Sequence, residues 1–282
     1  MAEFYTSIFS DSKITTTGLY TEDNPHLPGS KAWDVMIVEF DILGVPLATL
    51  NGWAYFKLDP SISLSVYSDN MEEIDRWWNT LADGGKVLMP IDTYPWSEKY
   101  GWLQDKYGTS WQICHVNTVW PVRLIPSLMF VKQKAGKAEE AIKYYTEVFK
   151  NSGIDSIARY GAWDNDVAGY VSHAQFHIDD FTLNAMDSSG PHDFDFSCAV
   201  SFMLTCKDQE ELDYFYNKLS AVPEAEQCWW VADKFGVSWQ LTPQIYYDLI
   251  NRGDEEKTAK LMHRIMDMKK LSVKGIEDAY YN

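Results

Sequence analysis

The chain has 282 residues, 46% hydrophobic and 23% charged, and its 24 Lys and Arg against 41 Asp and Glu give a formal charge of −17. This length suits two domains better than one. The negative field excludes a nucleic-acid backbone or an anionic membrane surface as partner, and no apolar run approaches the roughly 18 residues of a membrane helix.

From the N-terminus, MAEFYTSIFSDSK shows no basic stretch followed by an apolar one, so no secretory signal is read. Phe4, Tyr5, Ile8 and Phe9 predict a short amphipathic helix, followed by two or three alternating strands. SISLSVYSDNMEEIDRWWNTL (61–81) opens a second unit of strand and helix. Asn70 with Glu73 three residues later is a capping-box pattern, and Ile74, Trp77, Trp78 and Leu81 form one apolar stripe. Strands around GWLQDKYGTSWQI (101–113) end the first half, and Pro121 and Pro126 punctuate a linker near 117–126.

The second half repeats this grammar. YYTEVFKNSGI (144–154) lies on FYTSIFSDSKI (4–14), AVSFMLTCKDQEELDYFYNKL (199–219) on 61–81, and WVADKFGVSWQL (230–241) on WLQDKYGTSWQI (102–113). The order holds over nearly the whole of each half, so one domain has been duplicated. The offset falls from 138 residues (Asp75 to Asp213) to 128 (Trp111 to Trp239) because repeat one has a longer hairpin, PIDTYPWSEKY (90–100). Helices covering one face of largely antiparallel sheets predict an α+β architecture. Residues 254–282 read as two tail helices packed on a domain or a partner subunit. Cys114, Cys198, Cys206 and Cys228 lack a CxxC pair and read as reduced thiols of a cytoplasmic protein.

In the repeated motif, Asp-Lys-aromatic-Gly reads as a turn with Gly108 and Gly236 at its tight position, and Ser110 and Ser238 are expected to bond the local backbone. Trp111 and Trp239 alternate with Gln112 and Gln240, so rings and amides face opposite sides of their strands.

EEIDRWWNTLADGG, GWLQDKYGTSWQI, EELDYFYNKL, DKFGVSWQLTP and the tail EKTAKLMHRIMDMKKLSVKGIEDAY resemble the vicinal oxygen chelate superfamily, the glyoxalase and bleomycin-resistance fold. Within it they are similar to the PhnB-like, demethylubiquinone methyltransferase-like branch. The resemblance implies two tandem glyoxalase-like domains, 1–120 and 121–282 with the helical tail. Each would hold two βαβββ modules whose curved sheets form a cup. It also implies an intrachain pseudo-dimer, with a homodimer as a further option. Such domains begin with a strand, seen here as IPSLMFV (125–131), whereas repeat one starts inside its first helix, so the first strand of domain one is absent from this sequence. The sequence has no Gly-rich turn after a strand to cradle a nucleoside cofactor, and no cofactor is expected.

Metal-dependent members of the superfamily place His or Glu on particular strands. Carried over, those positions fall near Pro126, on Glu39 and Gln175, on Ser61 and Ala199, and on Gln112 and Gln240. Among them Glu39 alone keeps an ionisable donor, short of the three or so imidazole and carboxylate ligands a catalytic ion requires, so no metal is expected. His173, Gln175 and His177 alternate onto one face of a strand. The two imidazoles, about 13 Å apart, cannot share an ion but could bind ligand or move a proton; the alternative is a structural role. His26, His115, His192 and His263 read as solvent-facing.

The expected function is binding of a small organic ligand, without metal, in a Trp-lined cup. Glu39, Gln112, His173, Gln175, His177 and Gln240 would supply polar contacts, and Trp102, Trp230 and Trp53 ring faces. One alternative is an enzyme, either a metal-dependent lyase or dioxygenase or an isomerase using Glu39 or His173 as acid and base. Another is a structural dimer whose cups are filled by their own side chains.

Overall fold

The computed structural model describes residues 1–20, 30–52, 56–118 and 123–282; His26, Trp53 and Pro121 lie outside the described residues. The chain forms two compact units, Met1–Asp195 and Phe196–Asn282. This cut falls inside the second sequence repeat, so the first unit takes in the opening module of repeat two.

The first unit begins on helix α1 (Ala2–Ile8) with no strand ahead of it, then forms a three-stranded antiparallel sheet of β1 (Lys13–Leu19), β2 (Val35–Ile42) and β3 (Val45–Leu50). The rest builds one eight-stranded sheet. Repeat one supplies β4 (Ile62–Ser68), helix α2 (Met71–Ala82), β5 (Lys86–Tyr94), β6 (Ser97–Gln104) and β7 (Ser110–His115). Repeat two supplies β8 (Leu124–Phe130), helix α3 (Ala138–Val148), β9 (Gly153–Arg159), β10 (Val171–Ile178) and β11 (Phe181–Asp187). The strand order is β5-β6-β7-β4-β8-β11-β10-β9. The seam is the antiparallel pair β4–β8, with Ser63 opposite Ser127 and Ser65 opposite Ile125. Each module is thus a β-strand, a helix and three further strands, joined edge to edge with its neighbour.

The helices cover one face of this sheet. Asn70 caps α2 by accepting from the Glu72 and Glu73 amides, as the sequence pattern predicts. The reciprocal half of the capping box is missing, because the Glu73 carboxylate is held by Ser68 Oγ at 2.6 Å and by Arg123. The predicted stripe of α2 is buried, and with Leu103, Trp111 and Ile113 from the sheet, Tyr5 from α1 and Phe9 just beyond it, it makes the main core. Each such fully buried large side chain contributes about 2–3 kcal/mol. Gly101 lets α2 approach, since a Cβ there would sit 2.4 Å from the Trp78 ring.

The second unit holds β12 (Ser201–Cys206), helix α4 (Gln209–Leu219), β13 (Trp230–Ala232) and β14 (Ser238–Pro243), with strand order β12-β14-β13. Helices α5 (Gln244–Ile250), α6 (Glu255–Met266) and α7 (Val273–Tyr281) follow. The tail packs on its own unit: Leu261, Ile265, Ile276 and Tyr280 are buried, Val273 N donates to Gln209 Oε1 at 2.7 Å, and Lys270 pairs with Asp213 at 2.6 Å. Among the described residues no helix is long and apolar enough to cross a membrane.

Candidate functional site

The repeated motif builds a pillar beneath the helices. Asp105, buried, accepts from the Tyr107 and Thr109 amides through Oδ1 and from Trp111 Nε1 (2.9 Å) and Tyr5 OH (2.6 Å) through Oδ2. Asp233 takes the Phe235 and Val237 amides and Trp239 Nε1 in the same way. Gly108 and Gly236 close the turns at φ +91° and +85°, where a side chain would be strained. Trp111 is fully buried, stacked on Phe9 with centroids 5.3 Å apart. Strand alternation then turns Gln112, itself buried, to the opposite face of the sheet.

That face carries a continuous polar floor. Registered neighbours share a face, and they run from Trp102 to Gln112 to Ser65, and from Ser63 through Ser127 and Asn184 to Gln175. The hydroxyls and amides bond to one another: Ser63 with Ser110 at 2.8 Å, Ser65 with Ser127 at 2.7 Å, and Asn184 Nδ2 donates to Tyr67 OH at 2.8 Å and Ser127 Oγ at 3.2 Å. Tyr100 OH donates to Gln112 Oε1 at 3.0 Å, and Trp102 Nε1 to Ser110 Oγ at 2.8 Å. Ser110 therefore does not bond its local backbone as expected; its position in β7 points it across the sheet. Gln112 Nε2 has no hydrogen-bond partner within the described residues, although the residue as a whole is buried. Beside Trp102 the floor becomes apolar, with Met89, Met129, Met186 and Phe194 packed together.

Of the sequence-predicted residues, Trp102 and Gln112 lie on β6 and β7 and His173, Gln175 and His177 on β10 of this one sheet, with β4, β8 and β11 between them. Gln175 Nε2 approaches Asn184 Oδ1 at 3.4 Å. His173 keeps solvent access and makes no hydrogen bond within the described residues, yet the protein around its ring disfavours the imidazolium and lowers its pKa. His177 is tied to Asp155 at 3.0 Å at the outer edge. Burial pushes the Tyr67 and Tyr100 hydroxyls and the Cys114 thiol up, so all three stay protonated donors. Glu39 stands apart, on β2 of the three-stranded sheet. Trp230 and Gln240 belong to the second unit, where they are registered partners and Gln240 Nε2 donates to Ser201 Oγ at 2.8 Å. His115, expected in solvent, is buried at the end of β7, because the strand runs through it and its carbonyl accepts from Ser97 Oγ.

Sequence reasoning missed Ser63, Ser65, Tyr67, Ser127 and Asn184. The signal was present in ISLSVYS, where Ser, Ser and Tyr alternate with Leu and Val. A strand polar on one face and apolar on the other, inside a fold whose helices cover the apolar face, marks a lined cup.

The donor set does not fit a catalytic ion. The floor offers hydroxyls and neutral amides already bonded to each other, and among the described residues no three His, Cys, Asp or Glu side chains converge. Nor do the strand-to-helix turns fit a nucleoside cofactor. Their leading amides are taken by Asn70 at α2, by Asp187 Oδ1 at Gly136 and Ala138 before α3, and by Asp208 at α4.

The model of one family, described as 3-demethylubiquinone-9 3-methyltransferase, matches residues 1–114 and again 122–242. No curated protein matches the chain. A solved Bacillus cereus PhnB protein bearing the same methyltransferase description is 37% identical, covering 41% of this chain and 88% of its own, with a TM-score of 0.37. Maize (Zea mays) glyoxalase I is 14% identical over 89% of both chains with a TM-score of 0.54, a likeness of fold. Two matches to one family model, laid on paired βαβββ modules, show that the chain is a tandem member of the 3-demethylubiquinone-9 3-methyltransferase (PhnB-like) family, with a fold like that of glyoxalase I.

Proposed function

We propose that the face of the eight-stranded sheet opposite its helices binds a small organic molecule without a metal ion. Ring faces and Met side chains would take its apolar part, and neutral amides and hydroxyls its polar groups. The observation carrying this is Gln112. At the position where metal-dependent relatives place a carboxylate, this chain has an amide whose oxygen is bonded to Tyr100 and whose Nε2 is left for a ligand. Such amides orient a ligand through hydrogen bonds but cannot act as a general base. The free cysteines support a reducing compartment, and we place the protein in the cytoplasm. The family's description suggests methyl transfer; the occupied helix N-termini argue against a nucleoside methyl donor at the strand-to-helix turns.

The test is a thermal-shift screen with aromatic and cationic compounds at millimolar concentration. The expected result is a rise in Tm with a subset of compounds, reduced in Gln112→Ala. A flat response across a wide panel contradicts the reading.

A second reading rests on His173. An imidazole with a lowered pKa and no hydrogen-bond partner among the described residues can take a proton from a bound substrate at neutral pH. Glu39 lies on a different sheet, so His173 would act without it. Turnover of a ligand found in the screen, lost in His173→Gln while binding persists, would establish this reading.

A further inference from the structure

The hairpin β5–β6 is where the two repeats diverge. Repeat one carries about ten extra residues there, since the offset falls from 138 (Asp75 to Asp213) to 128 (Trp111 to Trp239). In repeat two the corresponding stretch is a short 3₁₀ turn, Pro223–Ala225, leading to the three-residue β13. Part of the added length packs inward, with Ile91 against the main core and Tyr100 against the Trp102 cluster. The hairpin also carries a ring cluster at its tip: Tyr94 and Trp96 stack with centroids 5.1 Å apart and planes 23° from parallel, and both meet Tyr100 edge-on at 5.6 and 5.7 Å. Tyr100 is the residue whose hydroxyl bonds Gln112 on the floor. The rings therefore continue the site upward, and Trp96 ends it with 62% of its surface exposed.

The electrostatics of this tip have one sign. Asp92, exposed, stands opposite Tyr100 in the β5–β6 register. Ring faces present negative potential, and the chain as a whole carries −17. The nearby cation Lys99 is drawn away to Asp75 of α2.

We propose that Tyr94, Trp96 and Tyr100, with Asp92, form a clamp selecting planar aromatic cations for the site below. This rests on the reading that the sheet face binds an organic molecule, and adds the class that is admitted. A flat ring lies against the open face of Trp96, its positive charge sits beside Asp92, and its inner edge reaches the Gln112 amide.

The experiment titrates the full chain at pH 7.5 with three ring systems of similar shape: 9-aminoacridine as the cation, acridine as the neutral compound and anthracene-9-carboxylate as the anion. Expected is a cation affinity about tenfold above that of the neutral ring, with the anion weakest. Trp96→Ala should lower cation affinity about tenfold while the melting temperature moves by no more than about 2 °C, because the ring is exposed. Asp92→Asn should shrink the cation preference about threefold. Equal affinities for the three probes, or an unchanged order in Trp96→Ala and Asp92→Asn, overturn the clamp. If Gln112→Ala then still weakens all three probes, the binding face stands without its clamp. If no probe binds the wild-type chain, both fall.

Discussion

Asp105 Oδ2 accepts the indole N–H of Trp111 at 2.9 Å, and the same oxygen takes the Tyr5 hydroxyl at 2.6 Å. With two backbone amides on its other oxygen, this one buried carboxylate serves four donors drawn from α1, the turn and β7. Asp105→Ala would leave them unsatisfied in the core, where each costs about 1–3 kcal/mol and the terms do not simply add. A loss of at least about 3 kcal/mol is expected in urea unfolding. A loss below about 1 kcal/mol would show that the pillar is not structural.

The duplication, the α2 and α4 stripes, the tail helices and the opposite facing of Trp111 and Gln112 were all legible in the sequence, because each is a local pattern of spacing. The join of β4 to β8 was not. It pairs Ser63 with Ser127, residues distant in the chain, and no local period records which edge a strand will seek. This is also why the floor was only half seen: Gln112 and Gln175 stood out by comparison with relatives, whereas Ser65, Ser127 and Asn184 gain meaning once the seam brings them together. The rings of the β5–β6 hairpin were visible as an insertion, but their stacking beside Tyr100 depends on the turn geometry.

Trp102 combines a structural and a binding role that two substitutions separate. Trp102→Phe keeps a ring against Met129 and removes the bond from Nε1 to Ser110, so a stability loss of about 1 kcal/mol and retained ligand binding are expected. Trp102→Ala opens a cavity in the apolar end of the floor, with a loss of about 3–5 kcal/mol and failure to bind. Denaturation curves beside ligand titrations check both; full binding by the Ala variant would remove Trp102 from the site.

Asn184 holds Tyr67 and Ser127 together at the seam. Asn184→Ala removes two hydrogen bonds at the seam and should cost about 1–3 kcal/mol in urea unfolding. Asn184→Leu, of similar volume, should cost as much and also weaken polar ligands, which separates lost bonding from lost packing. Wild-type stability in both variants would contradict the floor's hydrogen-bond network.

His173 makes stability depend on pH with a defined sign. Its folded pKa lies below the ordinary value of about 6.5, so in acid the unfolded chain takes up a proton before the folded one does. Stability is thus unaffected by this ring above pH ~6.5 and is lost as pH falls from there toward the folded pKa. His192, also lowered by burial, adds a slope of the same sign, so the comparison is wild type against His173→Asn. The variant should show a shallower decline in Tm between about pH 6.5 and 5. Affinity for an organic cation should fall over the same window in the wild type, because imidazolium repels it, and should stay level in the variant. Identical pH profiles would place His173 outside the site.

The most direct measurement is the metal content of the full chain purified without chelators, read by elemental analysis beside Gln112→Ala. A floor of mutually bonded hydroxyls and amides predicts transition metal well below one equivalent in both proteins, with ligand binding intact after dialysis against chelator. About one equivalent of zinc, iron or manganese in the wild type, diminished in Gln112→Ala, would contradict it.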